Sequence, residues 1–151
     1  MSNKIIDVVK RVKEVHKDYI IMIKVGNFCY SYGRDAYIMS YIFGYKLKKI
    51  EENIYNCAFP IHILNRIIAK LENSKLNYIV LDRRNNYETD LKYDNKNLNT
   101  YEEIYNKAKI YVNHKRRIEE INTFLVENVQ RKDFKEILSK MEEIINERRK
   151  V

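Results

Sequence analysis

KDYIIMIKVGNFCYSYGRDA, residues Lys17 to Ala36, is the stretch on which the fold of this chain turns. Tyr19 to Val25 is a continuous apolar run rich in β-branched residues, the pattern of a buried strand. Gly26-Asn27 follows as a turn pair, so a partner strand starts at once. Phe28 to Tyr32 alternates, with Phe28, Tyr30 and Tyr32 on one side and Cys29 and Ser31 on the other, as a half-buried hairpin strand does. Gly33 ends that strand, and Asp35 to Phe43 reads as a short helix stopped at Gly44.

Outward from this stretch, Ile5, Val9 and Val12, with Val8 and Val15, give residues 3 to 15 a helical stripe. Tyr45 to Ile50 and Ile54 to Phe59 read as strands separated by the polar turn Glu51-Glu52-Asn53. Pro60 opens a helix through Glu72, its missing N–H being harmless in a first turn. Leu76 to Leu81 is a strong strand and Tyr87 to Tyr93 a weak edge strand. Asp94 to Asn99 is a loop, and Thr100 with Glu103 forms a capping box for a long helix. Ile104, Ala108, Tyr111, Ile118, Ile121, Leu125 and Val129 keep the helical period to about residue 130. After a break at Gln130 to Asp133, Phe134, Ile137, Leu138, Met141, Ile144 and Ile145 mark a second helix. The expected fold is therefore α/β, a mixed β-sheet flanked by helices over residues 1–94, with a C-terminal helical hairpin over residues 95–151.

Composition narrows the function classes. With 151 residues, 45% hydrophobic and 33% charged, the chain is an ordinary globular domain long enough to bury a core. Its amino terminus lacks the apolar segment of a signal peptide, and no run is long enough to span a membrane. Cys29 and Cys57 have neither metal spacing nor a secretory context, so reduced thiols in the cytoplasm are expected. His16, His62 and His114 stand apart from one another without ligands at metal spacing, and Asp82, Glu88 and Asp90 are only loose carboxylate candidates. Three glycines cannot supply a Walker A loop. No catalytic residues, no cofactor and no metal are therefore expected, and the chain is not read as an enzyme.

The formal charge of +8 invites a nucleic-acid reading. The abundance of Ile, Lys, Asn and 13 Tyr also suits AT-rich codons, which would raise Lys without function. Distribution separates the two, because residues 1–50 hold 10 Lys/Arg against 4 Asp/Glu while residues 51–100 hold 7 of each. A surplus gathered around the turn favours a basic DNA-facing surface over uniform drift. Lys10, Lys13 and Lys17 share one helix face, and Lys46 and Lys48 one side of a strand, as phosphate contacts or as solvated surface.

The turn and its surroundings resemble the amino-terminal mismatch-recognition domain of the MutS family. The usual text there is an apolar strand, Gly-Asp-Phe-Tyr-Glu, a short strand, then Gly/Phe-x-Asp-Ala opening a helix. Val8 to Lys17 matches the amphipathic helix before the strand. Ala58-Phe59-Pro60-Ile61-His62-Ile63 stands where the family has Gly-Ile-Pro-Tyr-His-Ala, and Leu64 to Leu71 and Leu76 to Asp82 match the helix and strand that follow. The resemblance covers residues 5 to 84. It implies that Phe28, released by Asn27, wedges into the minor groove beside a mispaired base. The Glu that hydrogen-bonds the displaced base is replaced by Tyr30, whose uncharged phenol donates, accepts and stacks on any base. Phe28 also admits the plainer reading of a side chain capping the core beside Tyr30 and Tyr32.

Two functions follow. The first is a stand-alone, non-catalytic DNA-binding module acting in DNA repair, which holds distorted or mismatched DNA with relaxed discrimination through Phe28, Tyr30, Asn27, Lys10, Lys13, Lys17, Lys46 and Lys48. The second is an accessory or adaptor protein of a mobile element, such as a reverse-transcriptase-associated MutS-like protein, docking on another protein through its C-terminal helices. The stripe from Ile104 to Val129 outruns what the second helix covers, which makes a homodimer one way to bury it.

Overall fold

The computed structural model describes residues 2–96 and 99–150. Its elements in chain order are α1 (Ser2–Val15), β1 (Ile20–Val25), β2 (Phe28–Tyr32), α2 (Gly33–Phe43), β3 (Lys48–Glu51), β4 (Ile54–Pro60), α3 (Leu64–Asn73), β5 (Tyr78–Asp82), β6 (Glu88–Tyr93), α4 (Asn99–Glu127) and α5 (Phe134–Arg149). The strands form one mixed sheet in the order β3-β4-β2-β1-β5-β6. Among the described strands, only β1 and β5 run parallel, which requires the long crossover from β2 through α3 between them.

β1 is the hub because it is covered on both faces, and Ile20, Ile21, Met22 and Ile23 are all 0% exposed. Strand alternation sends Ile21 and Ile23 to one side, where Ile79 and Leu81 join Ile5, Val8 and Val9 of α1. Ile20 and Met22 point to the other side, against Val80, Phe59, Met39, Ile67, Leu71, Tyr101 and Ala108. An apolar run with no polar alternation is what such a doubly covered strand demands.

Several boundaries differ from the sequence reading. The strand expected at Tyr45 to Ile50 begins only at Lys48, because Tyr45 stacks between Phe43 and Phe59, at centroid distances of 5.7 and 6.0 Å. Lys46 thus precedes β3 and does not share a strand with Lys48. Pro60 ends β4 in extended conformation (φ −64, ψ 140) instead of opening a helix. A 3-10 turn at Ile61–Ile63 intervenes and α3 starts at Leu64. A proline at a strand terminus forfeits no interior ladder bond. The α2 helix starts at Gly33, two residues earlier than expected, and α4 at Asn99, one residue before Thr100. Part of the loop expected at Asp94 to Asn99, namely Asn97 and Leu98, lies outside the described residues, as does the position preceding α4.

The chain divides into two compact units, residues 1–112 and 113–151. The expected appendage began at residue 95, but Tyr101 (1% exposed) and Ala108 (0%) of α4 are buried in the core of the first unit. In the second unit, no described residue is buried.

Burial leaves a signature in the cysteines, which are free and buried. It pushes the Cys29 thiol from 9.0 up to about 12, against a smaller opposing effect of the Lys24 charge. Burial likewise pushes Cys57 from 9.0 to about 11, offset in part by the Ser31 hydroxyl. The folded chain therefore keeps protons that the unfolded chain loses, so this share of stability is full below pH 9.0 and falls as pH rises through about 12. Urea unfolding at pH 8 and pH 10 should show a lower midpoint at the higher pH, and Cys29→Ala with Cys57→Ala should shrink that difference.

Candidate nucleic-acid interface

Val25 pairs with Phe28 across the β1–β2 hairpin, leaving Gly26 and Asn27 as a two-residue turn. Gly26 takes φ +61, the left-handed region where a side chain is strained. The turn is held from outside as well, because the Ile61 N–H donates to the Asn27 carbonyl at 3.0 Å. Phe28, paired with Pro60 of β4, therefore stands on a fixed hairpin, and it is 46% exposed. The ring belongs to neither apolar cluster of the core.

The expected alternation along β2 is present, with Cys29 and Ser31 at 0% and 1% exposure facing the interior. Phe28, Tyr30 and Tyr32 form a row on the opposite face, next to Pro60, Ala58 and Asn56 of β4. The Tyr30 and Tyr32 rings stack at 6.5 Å with planes 21° apart. Burial pushes the Tyr32 hydroxyl up to about 12, with the Tyr30 phenol adding to the rise and a hydrogen bond to Asn56 opposing it. Tyr32 thus stays a neutral, hydrogen-bonding ring. Among the described residues, α1 alone supplies helical side chains to the apolar cluster on this face.

The lysines separate into distinct roles. Lys13, grouped with Lys10 and Lys17 by spacing, turns inward instead of offering its charge to phosphate. Its ammonium donates to the Lys17 and Tyr19 carbonyls at 2.8 Å each and to Asp35 at 2.9 Å. Asp35 is 1% exposed and also accepts from the Ile21 N–H at 3.0 Å and the Tyr101 hydroxyl at 2.5 Å. Burial raises the Asp35 carboxyl above its ordinary value, while Lys13, Tyr101 and the Ile21 N–H pull it back. Lys13 is therefore a tie between α1, β1, α2 and α4. Lys10 and Lys17 are exposed, and no hydrogen bond or ion pair is formed by either ammonium among the described residues. Lys48 pairs with Asn56 and so shares the face of Tyr32, two strands away, about 10 Å at ordinary strand spacing. Lys46 is exposed in the segment between α2 and β3.

Tyr32, Asn56 and Arg34 were not singled out from the sequence. The β2 alternation could have indicated Tyr32, but Asn56 comes to it only through the β2–β4 register. Arg34 lies over the Tyr105 ring at 4.0 Å and pairs with Glu102 at 2.8 Å. Among the described residues no three His, Cys, Asp or Glu side chains gather as a metal site. Likewise, no described helix is long and apolar enough to cross a membrane.

A mixed sheet thus holds an open aromatic on a clamped hairpin, and Lys10 and Lys17 stand unpaired by Tyr32 at the other end of the same row. The chain belongs to the MutS domain I family, whose model matches residues 4–123. Domain I is a DNA-recognition domain without catalytic chemistry. The match extends beyond the motifs around Phe28 and Pro60 and takes in most of α4. No curated protein matches the chain.

Proposed function

We propose that this chain is a DNA-binding module that holds mismatched, bulged or bent duplexes with relaxed discrimination. The observation that carries this reading is Phe28, 46% exposed at the end of a clamped hairpin, with Tyr30 in place of the family's Glu. The aromatic row wedges and stacks, which costs a few kcal/mol of unstacking and is least costly where the duplex is already distorted. Stacking has no base preference, so the site holds distortion without reading the base. Lys10, Lys17, Lys46 and Lys48 supply phosphate contacts, and four such contacts give a log–log salt slope of about −3 to −4. Such a module would serve DNA repair.

Titration of labelled regular, mismatched and bulged duplexes at two salt concentrations tests the proposal. Tighter binding to the distorted duplexes with the stated slope supports it. Equal and negligible binding to all of them removes it.

A second reading rests on the second unit. Ile118, Ile121, Val126 and Val129 are 56%, 50%, 73% and 58% exposed, and Ile144 of α5 is 61% exposed. Within α4, Tyr105 is half-buried against the core of the first unit and Leu125 is half-buried too. Helices this poor in burial gain little stability from packing. Residues 113–151 carry 10 Lys/Arg and 8 Asp/Glu, so two copies meet without strong repulsion. An isologous homodimer through these helices is the reading that follows, with an adaptor role on another protein as the alternative occupant. Sedimentation from low to high micromolar concentration should show a dimer that Ile118→Asp with Ile121→Asp converts to monomer. A parent chain monomeric throughout that range would remove the dimer.

A further inference from the structure

Between α1 and the start of β4, within the first unit, lies a cavity of ≈ 440 Å³. That size falls inside the range of about 300–1,000 Å³ usual for small-molecule sites. Its apolar lining comes from Ile6 and Val9 of α1, Tyr32 of β2 and Ile54 of β4. Lys10, Lys13, Lys17 and Arg34 also line it, with Glu14 as the one carboxylate.

The cations do not contribute alike. Lys13 is held by Asp35 and Arg34 by Glu102, so both shape the wall without offering a free charge. Lys10 and Lys17 have no acceptor among the described residues and stand ready for an anion. A ligand that fits must present a flat apolar body to Tyr32 and the aliphatic floor, and a compact anionic group to two ammonium ions. Glu14 adds an acceptor for an N–H on the body of that ligand. A nucleoside monophosphate combines these features: a base with a π-face, exocyclic or ring N–H groups, and one phosphate.

We propose that this cavity binds one nucleoside monophosphate unit, the base on Tyr32, Ile54 and Val9 and the phosphate between Lys10 and Lys17. The site deepens the DNA-binding reading and rests on it for the source of that unit, an unstacked nucleotide of an unpaired strand. Tyr32 is the third member of the aromatic row that starts at Phe28, so a strand held at Phe28 is led towards the cavity. The two rings stand four positions apart on the strand, about 13 Å. The nucleotide taken up is therefore not the one beside the Phe28 wedge but one farther along the unpaired strand.

The test uses the ¹⁵N-labelled full chain and follows amide shifts on titration with dTMP, dAMP, thymidine and inorganic phosphate. Both mononucleotides should shift the amides of residues 9–17, Tyr32 and Ile54 saturably, while thymidine and phosphate alone bind at least about tenfold more weakly. Lys10→Glu with Lys17→Glu, both exposed and so harmless to the core, should weaken dTMP at least about tenfold. Ile54→Trp, which fills the cavity, should do the same. Absence of mononucleotide shifts at the cavity overturns the site. So does equal binding of thymidine or phosphate, or unchanged dTMP binding in the double lysine variant. Bulged-duplex binding without mononucleotide binding removes the cavity site and leaves the module reading standing. Mononucleotide binding without any duplex preference supports the cavity, with a free nucleotide as its source, and counts against the module.

Discussion

Asp35→Ala should lower the urea midpoint far more than Phe28→Ala or the paired cysteine substitutions, by a loss of about 3–5 kcal/mol. Asp35 is 1% exposed, and its carboxylate receives the Ile21 N–H, the Lys13 ammonium and the Tyr101 hydroxyl at 3.0, 2.9 and 2.5 Å. Truncation leaves a buried backbone donor and a buried hydroxyl without their acceptor, and a cation with only the Lys17 and Tyr19 carbonyls and the Tyr101 hydroxyl oxygen around it. Each such group costs part of its desolvation. A domain of this size has roughly 5–15 kcal/mol in hand, so the variant sits near the edge of folding. Lys13→Met placed in the Asp35→Ala background should recover part of the loss, because it removes the uncompensated charge. Equilibrium urea unfolding with an unchanged slope measures both effects. A midpoint equal to that of the parent would show that the network contributes nothing to stability.

Phe28→Ala should have the opposite profile, leaving the urea midpoint nearly unmoved while removing the preference for distorted DNA. The ring is 46% exposed and belongs to neither apolar cluster of the core, so little burial is lost. Loss of a stacking or wedging aromatic costs about 1–3 kcal/mol, roughly five- to 150-fold in affinity for a bulged duplex. Regular duplex, held through phosphates, should bind as before. Fluorescence titration of both duplexes against parent and variant separates these outcomes. A preference that survives in the variant would assign it to other residues on the face.

Much of this molecule was legible in the residues themselves. β1 could be read because six of the seven positions from Tyr19 to Val25 are apolar, broken only by Lys24, and admit little else before a Gly-Asn turn. The face of Phe28, Tyr30 and Tyr32 followed from strand alternation, and α4 and α5 from the period of their apolar residues. Less legible were the places where two local rules competed. Pro60 suits a first helical turn as well as a strand end, and pairing with Phe28 made it the latter. Tyr45 has the propensity of a strand residue, but it stacks on Phe59 instead of joining a ladder.

The lysines in and just after α1 mark the division most clearly. Lys10, Lys13 and Lys17 follow at intervals of three and four, so no local pattern distinguishes them, although α1 ends at Val15 and Lys17 lies beyond it. The sequence by itself determined the elements, the strand faces and the basic character of residues 1–50, all of which depend on neighbours a few positions apart. Only the tertiary structure decided that Lys13 closes a network with Asp35 and Tyr101, partners 22 and 88 positions away, while Lys10 and Lys17 stay open beside a cavity. Such pairings arise when distant elements pack together. A cation then turns inward only where a buried carboxylate offsets the cost of leaving water.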